Sequence, residues 1–158
     1  MKHLRSTDVL INLVTMCYNW AASLFSFNLL SFYVKYLPGD LYQNSIMLGL
    51  STLVGGLLYV MLCQRYGTIS SFTIVYTISL LGAILILLFG TSVESLMPVF
   101  VFCTRAGIFG LYVACMQNTV KIFPTIISAS AMGICNFCGN LMAVLSPMIA
   151  EYEHPLPI

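Results

Sequence analysis

Charge is what this sequence has least of. Six basic and five acidic side chains, 7% of 158 residues, leave a formal net charge of +1. Soluble domains carry about a quarter charged residues, so a water-facing surface cannot be assembled from this supply. The near-neutral balance also lacks the basic field by which a nucleic-acid-binding protein collects phosphates, and nucleic acid is not an expected partner. Histidine is nearly absent: His3 and His154 stand at the two ends of the chain. No carboxylate pair, nucleophile with a base, glycine-rich phosphate loop or metal-ligand cluster accompanies them. An enzyme, a bound metal and a cofactor are therefore not expected.

What the sequence has in abundance is apolar surface, with 59% hydrophobic residues and a mean hydropathy of +0.96. Its six cysteines, Cys17, Cys63, Cys103, Cys115, Cys135 and Cys138, all fall inside or at the edges of apolar runs, where a thiol acts as a small hydrophobe. Cys135 and Cys138 form a C-x-x-C. A metal site needs three or four converging ligands, and neither a second pair nor a nearby histidine is present, so packing of two small residues is the preferred reading.

Runs of this length and apolarity predict an all-α membrane protein of about five transmembrane helices. A short basic head, residues 1–8, precedes an uncharged run too long for a signal peptide and long enough to cross a bilayer, which takes roughly 20 residues. The spans are expected at residues 9–34, 44–63, 70–89, 96–120 and 125–150, with an acidic tail at 151–158. Turns fall where Pro and Gly punctuate the pattern, at 37–40 and around Gly67. Gly49, Gly55 and Gly56 are expected to admit a neighbouring helix closely. A polar hinge at 118–125, ending in Pro124 and Thr125, separates the last two spans.

With five spans, Lys2, Arg5, Arg65 and Lys121 share one side of the membrane, whereas Lys35 lies on the other with Asp40, Glu94, Glu151 and Glu153. Cations in short loops are retained on the cytoplasmic side, so the N-terminus is expected there, or on the matrix side of a mitochondrial membrane. Within the spans two features invite a functional reading. Asn12, Asn19, Ser23, Ser26 and Asn28 form a polar stripe on the first span, facing either a water-filled path or neighbouring helices. Arg105 is a cation inside the fourth span, at a cost of about 2.5–3.5 kcal/mol on insertion scales. It either faces a cavity that attracts an organic anion or reaches back toward the interface near Glu94.

The order of these features resembles the C-terminal half of a major facilitator superfamily transporter, helices seven to eleven, and most of all the organic cation and anion transporter branch. Arg105 stands where that branch places a helix-ten Lys, and Pro124-Thr125, Gly133 and Pro147 keep its spacings. Arg65 and Gly67 match part of its loop motif between helices eight and nine, and the first span, with Trp20 and Phe25, is similar to helix seven. The resemblance implies a substrate path touching Arg105, Asn19 and Asn28, and a gating end built from Arg65, Gly67, Lys121, Pro124 and Thr125.

The departures from this pattern are all in charge. Lys121 replaces a Glu, Ser128 and Asn140 replace Arg residues, and Gln64, Thr68 and Ile69 replace an acid and two bases. Such loss is expected once gating is no longer required. Five spans also fall short of the two six-helix halves between which these transporters bind solute. The expectation is thus a transporter-derived, transport-degenerate integral membrane subunit with an accessory role in a larger complex. The alternative is a fragment or half of a working transporter. Implied partners are the lipid bilayer, other membrane subunits or a missing half, and an organic solute.

Overall fold

The computed structural model describes residues 6–36, 40–89 and 96–152. They form α1 (Ser6–Tyr33), a 3-10 turn (Val34–Tyr36), α2 (Leu41–Tyr66), α3 (Thr68–Phe89), α4 (Met97–Ile122), α5 (Thr125–Ala143) and α6 (Leu145–Tyr152), with no strand among the described residues. Five stretches are long and apolar enough to cross a membrane: Val9–Tyr36, Leu41–Tyr66, Thr68–Phe89, Met97–Ile122 and Thr125–Glu151. The all-α, five-span architecture expected from the sequence is what is observed.

Local chemistry sets the breaks between helices. Asp40 caps α2, its side chain accepting from the Tyr42 N–H at 2.9 Å. Gly67 turns α2 into α3 with φ +81, a left-handed conformation that a residue without Cβ adopts freely. Pro98 sits in the first turn of α4, where its missing N–H is not needed. Phe123 is extended, as the residue before a proline must be, and Pro124 opens α5. Pro147 cannot donate to the carbonyl of Ala143, and the Ser146 hydroxyl satisfies that carbonyl instead at 2.7 Å. The fifth span is accordingly two helices joined at Val144.

The turns are tighter than the sequence indicates. Gln64, Arg65 and Tyr66 belong to α2, leaving Gly67 as the one non-helical residue before α3. The hinge at 118–125 is helical through Ile122, so only Phe123 and Pro124 interrupt it. The basic residues Lys2 and Arg5, the acids Glu94 and Glu153 and both histidines lie outside the described residues, as do most of the 37–40 turn, the head and the tail.

Polarity is arranged inside out relative to a protein in water. The buried face of α2 is Asn44, Ser51, Gly55 and Tyr59, that of α3 is Ser71, Val75 and Gly82, and that of α5 is Ala131, Cys135 and Gly139. Most leucines and isoleucines point outward, with Leu87 84% and Ile126 91% exposed, and only Ile108 and Leu111 among the described ones are buried. In lipid no hydrophobic force draws helices together. They associate through close packing of small residues, and large side chains are left to the acyl chains.

Helix α4 is the hub. It packs most extensively on α2 and α3 and also on α1, while α1 pairs with α5 and meets α6. Glycines set these approaches. A Cβ at Gly55 would lie 2.8 Å from the Cα of Ala106, one at Gly82 would lie 2.8 Å from the Thr104 backbone N, and one at Gly107 would lie 2.6 Å from that of Ser79. Gly55 thus admits α4 as expected, and Gly56 faces Phe109, whereas Gly49 has open space around it.

Candidate functional site

A cavity of about 580 Å³ opens between α1 and α3, with Thr104, Ile108 and Leu111 of α4 as its floor and Ile149 and Ala150 of α6 at one end. The twist of α1 presents Asn19, Ser23 and Ser26 to it, and α3 contributes Tyr76 and Ser79. Much of this polarity is used within the helices that carry it. Asn19 Nδ2 donates to the Thr15 carbonyl at 2.9 Å, Ser23 Oγ to that of Asn19 at 2.8 Å, and Thr104 Oγ1 to that of Phe100 at 2.8 Å. Among the described residues no charged side chain lines the cavity. Its wall can solvate a neutral amphiphile or receive a helix, and it supplies no counter-ion.

A second hollow of about 450 Å³ lies between α1, α3 and α4 near the other end of the bundle, and Asn19 borders both. Thr68, Ile69, Phe72 and Lys121 line it. Lys121 Nζ donates to Thr68 Oγ1 at 2.7 Å, tying the last turn of α4 to the first of α3. Arg65, in the last turn of α2, and Gly67 belong to the same end, as do Pro124 and Thr125 at the α4–α5 break. The residues assigned to gating therefore share one end, as the span order requires. The one ion pair formed among the described residues, Lys35 to Glu151 at 3.6 Å, is solvent-exposed and lies at the opposite end.

Arg105 lies apart from both hollows. It is 6% exposed and turns toward α1, where Nη1 donates to the Phe27 carbonyl and the guanidinium stacks on the Phe27 ring with Cζ 3.3 Å from its centroid. Its Nε is buried without a partner. The expected reach toward the interface is not what the side chain does: it is packed inward on α1. Glu94, named as its neighbour in that reading, lies outside the described residues. A stacked, desolvated guanidinium gains about 2 kcal/mol, and the carbonyl bond adds to that, so the aromatic ring and the helix backbone offset part of the cost of burying the charge.

The structure therefore separates the three residues read as a substrate set. Asn19 borders both hollows, Asn28 donates at 2.9 Å to the Leu24 carbonyl of its own helix, and Arg105 is enclosed beside Phe27. Sequence reasoning missed Phe27, whose ring would have needed a partner across 78 positions to be noticed. It also missed the buried bond from Trp20 Nε1 to Thr119 Oγ1 at 3.1 Å, which joins α1 to α4. The one tryptophan in the chain was the available signal there, because a buried indole N–H requires an acceptor. The groups of acids, histidines and cysteines among the described residues include none arranged to hold a metal ion.

Comparison with known proteins adds one relative. No family model matches the chain, and no solved structure does. The synaptic vesicle 2-related protein of Xenopus laevis is 29% identical over 117 residues, which is 74% of this chain and 21% of the relative. The chain thus spans about a fifth of the length of the curated relative it matches. This similarity supports, at a coarse level, a membrane protein related to major facilitator-type transporters, and it does not reach the organic cation and anion branch.

Proposed function

We propose that this chain is a transport-degenerate membrane subunit, derived from a transporter half and holding an accessory place in a larger membrane assembly. The observation that carries this reading is the bond from Lys121 to Thr68. At the end where the resembling transporters set charge against charge, a lysine meets a neutral hydroxyl, and Gln64, Ile69 and Ser128 stand at other positions of the lost network, with Asn140 near the far end of α5. A cation held there by a hydroxyl, with no carboxylate opposite it, leaves the gate little coupling to an ion. The uncharged cavity between α1 and α3 agrees with this, since a flank with small and polar residues is suited to another membrane helix. In this reading the chain is no enzyme, binds no cofactor, and sits with Arg65, Lys121 and its N-terminus on the cytoplasmic or matrix side.

Arg105 favours a second reading, a fragment or half of a working organic-solute transporter. Its buried Nε has no partner, and a cation kept at such a depth is a reasonable anion contact. Extraction in a mild detergent followed by native sizing separates the two. A subunit migrates within a high-mass assembly and gives no uptake when reconstituted alone. A free monomer or dimer that takes up an organic anion, with uptake lost in Arg105→Ala, replaces the first reading with the second.

A further inference from the structure

The C-x-x-C of α5 is not used by either functional reading, and the fold gives it a partner that the sequence does not show. Cys17 of α1 and Cys135 of α5, 118 positions apart, bring their Sγ atoms to 3.5 Å. They meet on the seam along which α5 packs against α1. Ala131, Cys135 and Gly139 form the buried seam of α5, and a Cβ at Gly139 would lie 2.6 Å from Leu24 Cδ1 and 3.3 Å from the Trp20 carbonyl. A disulfide requires a Cα separation of about 4.4–6.8 Å, a distance that helices reach only at small-residue contacts of this kind. Cys135 is fully buried, whereas Cys17 and Cys138 are partly exposed. Of the pair, Cys17 is therefore the residue that an oxidant reaches first. Cys115 packs in the same buried cluster but lies 3.7 Å from Ser23 Oγ, and the Cys63 thiol is held by Thr68 and Gln117.

We propose that Cys17 and Cys135 are an oxidative cross-linking site at which an organic hydroperoxide, the class of oxidant that arises within lipid, staples α1 to α5. The sulfur of the partly exposed Cys17 attacks the terminal peroxide oxygen, the O–O bond breaks, and the thiol proton leaves with the departing alkoxide as an alcohol. The resulting sulfenic acid is then attacked by the Cys135 sulfur, which forms the S–S bond and releases water. Two thiols lose two electrons in total, and the peroxide gains both. Cys138, one turn beyond Cys135, is close enough to compete for Cys17, so the identity of the bridge is itself diagnostic.

The test uses the full chain in phospholipid vesicles treated with cumene hydroperoxide. After quenching, the free thiols are blocked and chymotryptic peptides are mapped by mass spectrometry without reduction. The expected result is a single intramolecular Cys17–Cys135 bridge, loss of two titratable thiols, and a rise of several degrees in thermal midpoint that dithiothreitol reverses. Cys17→Ala abolishes the bridge and Cys138→Ala leaves it. Mapping on the unsubstituted chain decides the matter even if a variant folds poorly. A Cys17–Cys138 bridge, an intermolecular bridge, oxidation that stops at sulfinic or sulfonic acid, or retention of every thiol overturns the proposal.

Discussion

Helices α3 and α4 have nearly the same purpose in the sequence and opposite positions in the fold. Both are apolar and of membrane length, and α3 is the more apolar of the two, with mean hydropathy 2.5 against 1.8. Yet 56% of the α4 window is buried within the protein and only 11% of the α3 window. Apolarity therefore does not mark the inside of this molecule. In lipid the most apolar helix is free to stay at the edge, and the helix that can be approached from several sides becomes the centre. Gly107, Gly110 and Ala106 of α4 let α2 and α3 come close to its backbone, which α3 permits chiefly at Gly82.

The largest effect expected from this contrast is at Gly55. Gly55→Leu drives a side chain into the Ala106 backbone and costs about 3 kcal/mol or the fold itself, read as lost monodisperse protein on detergent gel filtration. Gly49→Leu on the same helix, with nothing within 4 Å, leaves the elution profile unchanged. Equal damage from both would remove the idea that contact with α4, and not glycine content, organises the bundle.

The next effect concerns the cation inside the hub. Phe27→Leu removes the ring beneath Arg105 and lowers stability by about 2 kcal/mol, while in an Arg105→Met background the same change costs roughly half that or less. Thermal unfolding of the four proteins in one detergent measures the coupling. Additive costs would mean the stacked pair contributes nothing specific.

A smaller loss is expected at the buried bond between α1 and α4. Trp20→Phe forfeits the indole donor, but the Thr119 hydroxyl keeps its bond to the Cys115 carbonyl at 2.7 Å, so the loss is about 0.6 kcal/mol, the average for such bonds in membranes. A loss several times larger would make that bond, and not the packing of Met16 and Trp20 against Cys115 and Tyr112, the main tie of α1 to the hub. Smallest of all is Leu88→Ala on α3, which lines neither hollow and at 65% exposure has little protein contact to lose. Its midpoint in detergent stays within error of the parent, and a marked drop would mean that α3 is covered by another protein surface.

Much of the architecture was legible because lipid imposes lengths. Charges placed outside the spans, Gly67 at φ +81 and Pro124 at the head of α5 are local facts, and each marks a boundary by its own chemistry. Pro147 was legible as an interruption, although the shift to a separate α6 depends on where Ser146 can replace the missing donor. The candidate site was much less legible. Arg105, Asn19 and Asn28 look alike as polar intrusions into apolar runs, but one stacks on an aromatic ring, one borders two hollows and one bonds its own helix. One-residue differences in angular position around a helix separate these outcomes, because each residue turns about 100° from the last.

Sequence by itself determined the all-α class and the five helices long and apolar enough to cross a membrane, since these depend on hydropathy and on backbone chemistry at single residues. Only tertiary structure decided that α4 lies at the centre, that Arg105 rests on Phe27, that Lys121 meets a hydroxyl, and that Cys17 faces Cys135. Lipid does not distinguish among apolar faces. The choice of neighbours is left to the few positions where a missing side chain lets two backbones approach.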